Sequence, residues 1–123
     1  MMSKDLKKLR SLKEIAELSL TAELAKLAAI KREEEGPKAR LREIDAARAQ
    51  RVQHVGASDG FDMASLMGAD TAWHRWVEKE KRQALRDLAQ IAERRETQLG
   101  QTRKAFGKKD ALDRLTERHT GKM

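Results

Sequence analysis

The sequence predicts an all-α protein built as a long antiparallel two-helix coiled-coil hairpin. Apolar residues recur at steps of three and four along two long stretches, the spacing that gathers them onto one face of a helix. One segment rich in Gly, Asp and Ser separates the stretches, and that is turn chemistry. Charged residues make up 38% of the chain and aromatics only 3%. That balance fits long helices better than a compact core, and the regular apolar spacing opposes the disorder that high charge favours.

The first arm is expected over about 4–54. Leu6, Leu9, Leu12, Ala16, Leu20, Leu24, Leu27 and Ile30 form one stripe within about 120° of the helical wheel. Ile15, Leu18, Ala22, Ala25 and Ala29 form a second, roughly opposite stripe at strict 3-4-3-4 spacing. One stripe suffices to pack a partner arm, so the second is read as a surface for something else. Gly36 and Pro37 interrupt the pattern, because proline removes a helical hydrogen bond and crowds the preceding turn. The apolar phase resumes at Leu41, Ile44, Val52 and Val55, so a kinked continuation is expected there.

The turn is expected over 55–70, "VGASDGFDMASLMGAD". Asp62 can cap a short helical turn stapled by Phe61 and Leu66, and Asp70 or Thr71 can cap the second long helix. This second arm, about 71–118, presents Trp73, Val77, Leu85, Leu88, Ala92, Leu99 and Phe106 on one broad face, with Arg95 and Thr102 weakening the seam. Leu112 and Leu115 continue it in shifted phase after Gly107. Trp73 and Trp76 stand side by side at the start of this arm. They serve either as anchors for the turn, Trp73 with Val77 and Trp76 beneath Phe61–Leu66, or as a partner contact, a role that tryptophan often fills.

Chemistry is scarce. With no cysteine in the chain, disulfides, thiolate metal sites and cysteine nucleophiles are excluded, and a reducing compartment is the default. His54, His74 and His119 match no zinc-protease or di-metal pattern, though His54 and His74 can approach one another across the turn. Glu33, Glu34 and Glu35 lack a pocket that would drive their pKa values apart, and "GASDG" is not a phosphate loop. The reading is therefore no enzyme, no cofactor, no metal and no small-molecule substrate. The start of the chain is too charged for a signal peptide and no stretch approaches a membrane span, so a cytoplasmic protein is expected.

The net charge is +7. Residues 1–55 carry thirteen Lys and Arg against nine Asp and Glu, and residues 73–123 carry fourteen against eight. The segment between holds only Asp59, Asp62 and Asp70. Basic arms suit nucleic acid, anionic lipid or an acidic protein surface. Nucleic acid is disfavoured because acids interleave with the bases throughout, even in the basic 103–123 segment, and no basic-region or helix-turn-helix spacing appears. A self-associating bundle, with the Ile15–Ala29 stripe buried against another copy, is a further alternative. The partner-binding residues read from the chain are Ile15, Leu18, Ala22 and Ala25, the basic end Arg103, Lys104, Lys108 and Lys109, and the pair Trp73 and Trp76.

With its two basic arms, its central turn, "LKKLRSLKEIAE" (6–17) and "KKDALDRLTERH" (108–119), the chain resembles the FliJ/YscO family of flagellar and injectisome type III export proteins. The resemblance implies a coiled coil similar to the two-helix stalk of the F1-ATPase gamma subunit. It implies that the joined ends enter the hexameric export ATPase, that the hairpin contacts the export gate protein, and that export chaperones are carried. It places the protein in the cytoplasm, peripheral to the inner-membrane export apparatus, reaching the membrane only through that apparatus. The long central turn and the Gly36-Pro37 break depart from the family's usual pattern.

Overall fold

The computed structural model describes residues 4–57 and 63–121, with side chains described over 4–53 and 67–121. The described residues are all-α, a helical hairpin. Helix α1 spans Lys4–Glu33, α2 spans Glu35–Ala57 and α3 spans Met63–Gly121. Contacts group them into two compact units. One joins 1–32 to 93–123, and the other comprises 33–92.

Local chemistry favours each helix. Ala, Leu, Glu, Lys and Arg dominate α1 and α3, and neither contains proline, so both are made of good helix formers. Asp5 lies in the first turn of α1 and Lys31 and Arg32 in its last, the arrangement that suits the helix dipole. Only Glu34 separates α1 from α2. Pro37 falls in the first turn of α2, where its missing N–H has no partner within that helix to lose. The Lys38 N–H donates to the Glu34 carbonyl at 3.2 Å, which carries the chain into α2.

The capping prediction at Asp70 and Thr71 is corrected. Helix α3 begins at Met63, eight positions before the expected 71. The stretch 63–70 holds one glycine, Gly68, whose helical cost of about 1 kcal/mol its Ala, Leu and Met neighbours offset. Thr71 does not cap; its Oγ1 donates to the Met67 carbonyl one turn back, at 2.8 Å. Residues 58–62 of the expected turn, with the caps and staples assigned to Asp62, Phe61 and Leu66, lie outside the described residues or side chains.

In the 1–32/93–123 unit the arms run antiparallel, because Lys13 pairs with Asp113 and the later Glu23 with the earlier Gln98. Leu6, Ala16, Leu27, Ile30 and Ala105 are buried, and Leu9, Lys13, Leu20 and Glu23 half-buried. The seam of α1 is therefore 6, 9, 13, 16, 20, 23, 27, 30. Leu12 and Leu24, expected in it, are about half exposed. Each stands one residue off the 3-4 count, and Lys13 and Glu23 take the inward places. Lys13 lays its stem on the seam and sends its ammonium to Asp113, 3.2 Å away.

The corresponding face of α3 is likewise rotated by one residue. Gln98, Thr102, Ala105, Lys109 and Leu112 line it, whereas Phe106 is 58% exposed. Ala105 lets the backbones approach, and Gln98 and Thr102 bond across the seam, so Phe106 is turned outward. The Gln98 amide donates to both the carbonyl and the carboxylate of Glu23. Thr102, expected only to weaken the seam, reaches the same carbonyl at 3.5 Å.

In the 33–92 unit Ile44, Val77, Ala84 and Ile91 are buried, with Ile44 and Val77 almost wholly enclosed. Pro37, Leu41, Arg48 and Arg51 continue the inward face of α2, and Trp73, Glu80 and Asp87 that of α3. Leu85 is 49% exposed and Ala92 is exposed; Ala84 and Ile91 replace them in the core. Val52 is also exposed, since Arg51 occupies the adjacent inward position.

Candidate functional site

The seam determines which faces of the helices remain outside. On α1 the positions two and five residues after each seam position, such as 15 and 18 after 13, point away from the other arm. Ile15, Leu18, Ala22 and Ala25 occupy them and are all exposed, Ile15 by 62% and Leu18 by 71%. Ala29 extends the stripe and is half-buried. Four apolar positions at 3-4-3 spacing therefore lie on the outer face, with no role in closing the hairpin.

The basic end divides. Arg103, Lys104 and Lys108 are exposed on α3. Lys109 belongs to the seam and pairs with Asp113 at 3.4 Å. Asp113 thus stands between two ammonium groups. Burial pushes its pKa up, but Lys13 and Lys109 more than offset this and hold it below the ordinary carboxylate range. Glu23 is lowered too, chiefly by the hydrogen bond from Gln98, which outweighs the opposing effect of burial, with a lesser contribution from Lys26.

The tryptophans are each met by an arginine of α2. The Arg51 guanidinium lies 4.7 Å from the Trp73 ring centre and its Nε 3.4 Å from Asp70. Arg40 lies 5.4 Å from the Trp76 ring centre and forks onto Glu80 at 2.9 and 3.2 Å. The hydrogen bonds from Arg40 to Glu80 and then to Glu43 raise its pKa further above the usual value. Trp73 is half-buried in the inward face beside buried Val77, whereas Trp76 is 41% exposed. The sequence reading missed both arginines, although cation–π partners sit at flanking positions of a register that the heptad count supplies.

Little else gathers. His74 pairs with Asp70 at 3.3 Å, and the side chain of His54 lies outside those described. Of the glutamate run, Glu34 pairs with Lys38 and Glu35 with Arg42. Among the described residues no group of His, Asp and Glu is placed to hold a metal ion, and no helix is long and apolar enough to cross a membrane. No family model, curated protein or solved structure matches the chain.

Proposed function

We propose that the chain is a non-enzymatic coiled-coil stalk of a type III export apparatus, which meets its partner through the outer apolar face of α1. The observation that carries this reading is the exposure of Ile15 and Leu18 on a helix whose seam is already closed by other residues. Large aliphatic side chains left in water at heptad spacing suit a protein partner. The FliJ/YscO-like pattern of the two arms supplies the partners: the hexameric export ATPase at the joined ends, the export gate protein, and export chaperones. Arg103, Lys104 and Lys108, exposed on α3, suit an acidic lumen in such a ring, and half-exposed Trp76 suits a contact with the gate.

The test uses the purified export ATPase. The wild-type chain is expected to bind it and to stimulate ATP hydrolysis. The double substitution Ile15→Ser/Leu18→Ser is expected to abolish stimulation while circular dichroism shows unchanged helicity. An ATPase indifferent to the wild-type chain, or stimulated equally by the variant, counts against the proposal. The same stripe also suits a second copy of the chain. Light scattering that finds a dimer of the wild type and a monomer of the variant favours that reading instead.

A further inference from the structure

Within the 33–92 unit, the outer face of α3 differs in kind from that of α1. Arg75, Lys79, Arg82 and Arg86 recur at 4-3-4 spacing and are all exposed. They line one shallow depression along the helix, with Glu78 as the single acid beside them. The other acids of this stretch turn toward α2 or bond along the helix. Asp70 accepts from Arg51 and lies 3.3 Å from the His74 Nε2, Glu80 accepts from Arg40, and Asp87 from Gln83 at 2.9 Å. Over these residues Asp70, Glu80 and Asp87 are half-buried and engaged, whereas Arg75, Lys79, Arg82 and Arg86 lie outside. Among the described residues, none of the four cations has an ion-pair partner.

This sorting answers the objection drawn from interleaved acids, and binding that does not read sequence needs no basic-region or helix-turn-helix spacing. Interleaved acids oppose phosphate binding only if they share the face with the bases, and here three of four do not. An ordinary solvated helix face alternates its charges at i, i+4 so that they support one another. Here Arg75 precedes Lys79, and Arg82 precedes Arg86, by four residues, so like charges are set together. Glu78, within one turn of Arg75 and Arg82, offsets part of this repulsion, and an anion from outside relieves the rest. From Arg75 to Arg86 the stripe covers eleven helical steps, about 16 Å at 1.5 Å per residue. A duplex presents roughly ten phosphates over that length, and a straight line of cations needs only a few of them. Three of the four are arginines, whose planar fork binds phosphate oxygens in pairs.

We infer that the Arg75–Lys79–Arg82–Arg86 face binds the phosphate backbone of a nucleic-acid duplex, without reading its sequence. The contact is electrostatic, so its affinity depends steeply on salt. Four neutralised phosphates give a slope of about −3.6 in log K against log salt for B-DNA. Between 50 and 200 mM salt the affinity then falls roughly 150-fold. This inference does not depend on the export reading, because it uses a different face.

The experiment is fluorescence anisotropy of the full chain with a labelled 24-base-pair DNA duplex, and in parallel an RNA duplex, across that salt range. Substituting all four cations by Gln retains good helix formers and is checked by circular dichroism. It should weaken binding at least tenfold at 100 mM salt and flatten the slope by about 3 to 4. Arg82→Gln alone should flatten it by about 0.9, which keeps the test open if the fourfold variant misfolds. The charge-matched control Arg103→Gln/Lys104→Gln/Lys108→Gln/Arg118→Gln should keep most of the affinity. A stronger response to DNA or to RNA identifies the source of the backbone. Equal losses in the stripe and control variants would show only general attraction to a basic chain and overturn the assignment. So would stripe-dependent binding to polyglutamate or to phosphatidylserine vesicles with no binding to either duplex.

Discussion

The outer face of α1 in the 1–32/93–123 unit is apolar, whereas the outer face of α3 in the 33–92 unit is cationic. Both lie opposite a closed seam, and neither is needed to hold two helices together. A helix of a hairpin packs one stripe on its partner arm, and the opposite stripe is free to carry other chemistry. Here the two outer stripes carry different chemistries. Ile15 and Leu18 seek an apolar surface, and Arg75, Lys79, Arg82 and Arg86 seek anions. The seams are more alike. Each buries apolar residues, Leu6 and Ala16 in the first unit and Ile44 and Val77 in the second, and each adds polar bridges between the arms, Gln98 to Glu23 in the first and Arg40 to Glu80 in the second.

The largest effect that sharpens this contrast is expected at the second seam. Ile44 is 1% exposed, and cutting a buried isoleucine to alanine costs about 2–5 kcal/mol. Urea unfolding of Ile44→Ala should show a lower midpoint. An unchanged midpoint would place the core of this unit elsewhere.

Acid should act on the first seam. Glu23 and Asp113 both have lowered pKa values in the folded chain. A lowered folded-state pKa contributes stability that is present above the unfolded value and is lost as pH falls through the folded one. Thermal midpoints should therefore decline below the ordinary carboxylate range, near pH 4. Asp113→Asn should flatten that decline. If the variant retains the full acid dependence, the pairs with Lys13 and Lys109 contribute nothing.

A smaller effect is expected at the tryptophans. Removing the guanidinium over Trp73 with Arg51→Ala should cost about 0.5–1 kcal/mol and change the indole emission. Arg40→Ala should increase acrylamide quenching of Trp76 with little change in helicity. Emission and quenching indifferent to both arginines would separate the rings from them.

Much of the fold was legible because hydrophobic periodicity reports helices directly. The two long arms, the buried Leu6, Ala16, Leu27 and Ile30, and the outer position of Ile15 and Leu18 all come from counting threes and fours. The count misled where size and polarity disagreed. Leu12, Leu24, Leu85 and Phe106 look like seam residues because they are large, yet Lys13, Glu23, Ala84 and Ala105 take the inward positions. Small and hydrogen-bonding residues pack between close helices, a preference that hydropathy alone does not weigh. The start of α3 was misplaced because Gly68, Asp70 and Thr71 are turn formers in isolation, and here the helix runs through them. The basic stripe was legible in its spacing and hidden by its composition, since adjacent acids cancel it until the seam shows which way they turn.

Urea unfolding of Ile15→Ser/Leu18→Ser, monitored by circular dichroism, tests most directly the claim that the apolar outer face of α1 is surface rather than core. Two polar substitutions on a solvent-facing stripe should leave both midpoint and slope at the wild-type values, within about 0.5 kcal/mol per site. A fall in the midpoint as large as that of Leu27→Ala would contradict the account, because Ile15 and Leu18 would then belong to the core and be lost as a partner surface.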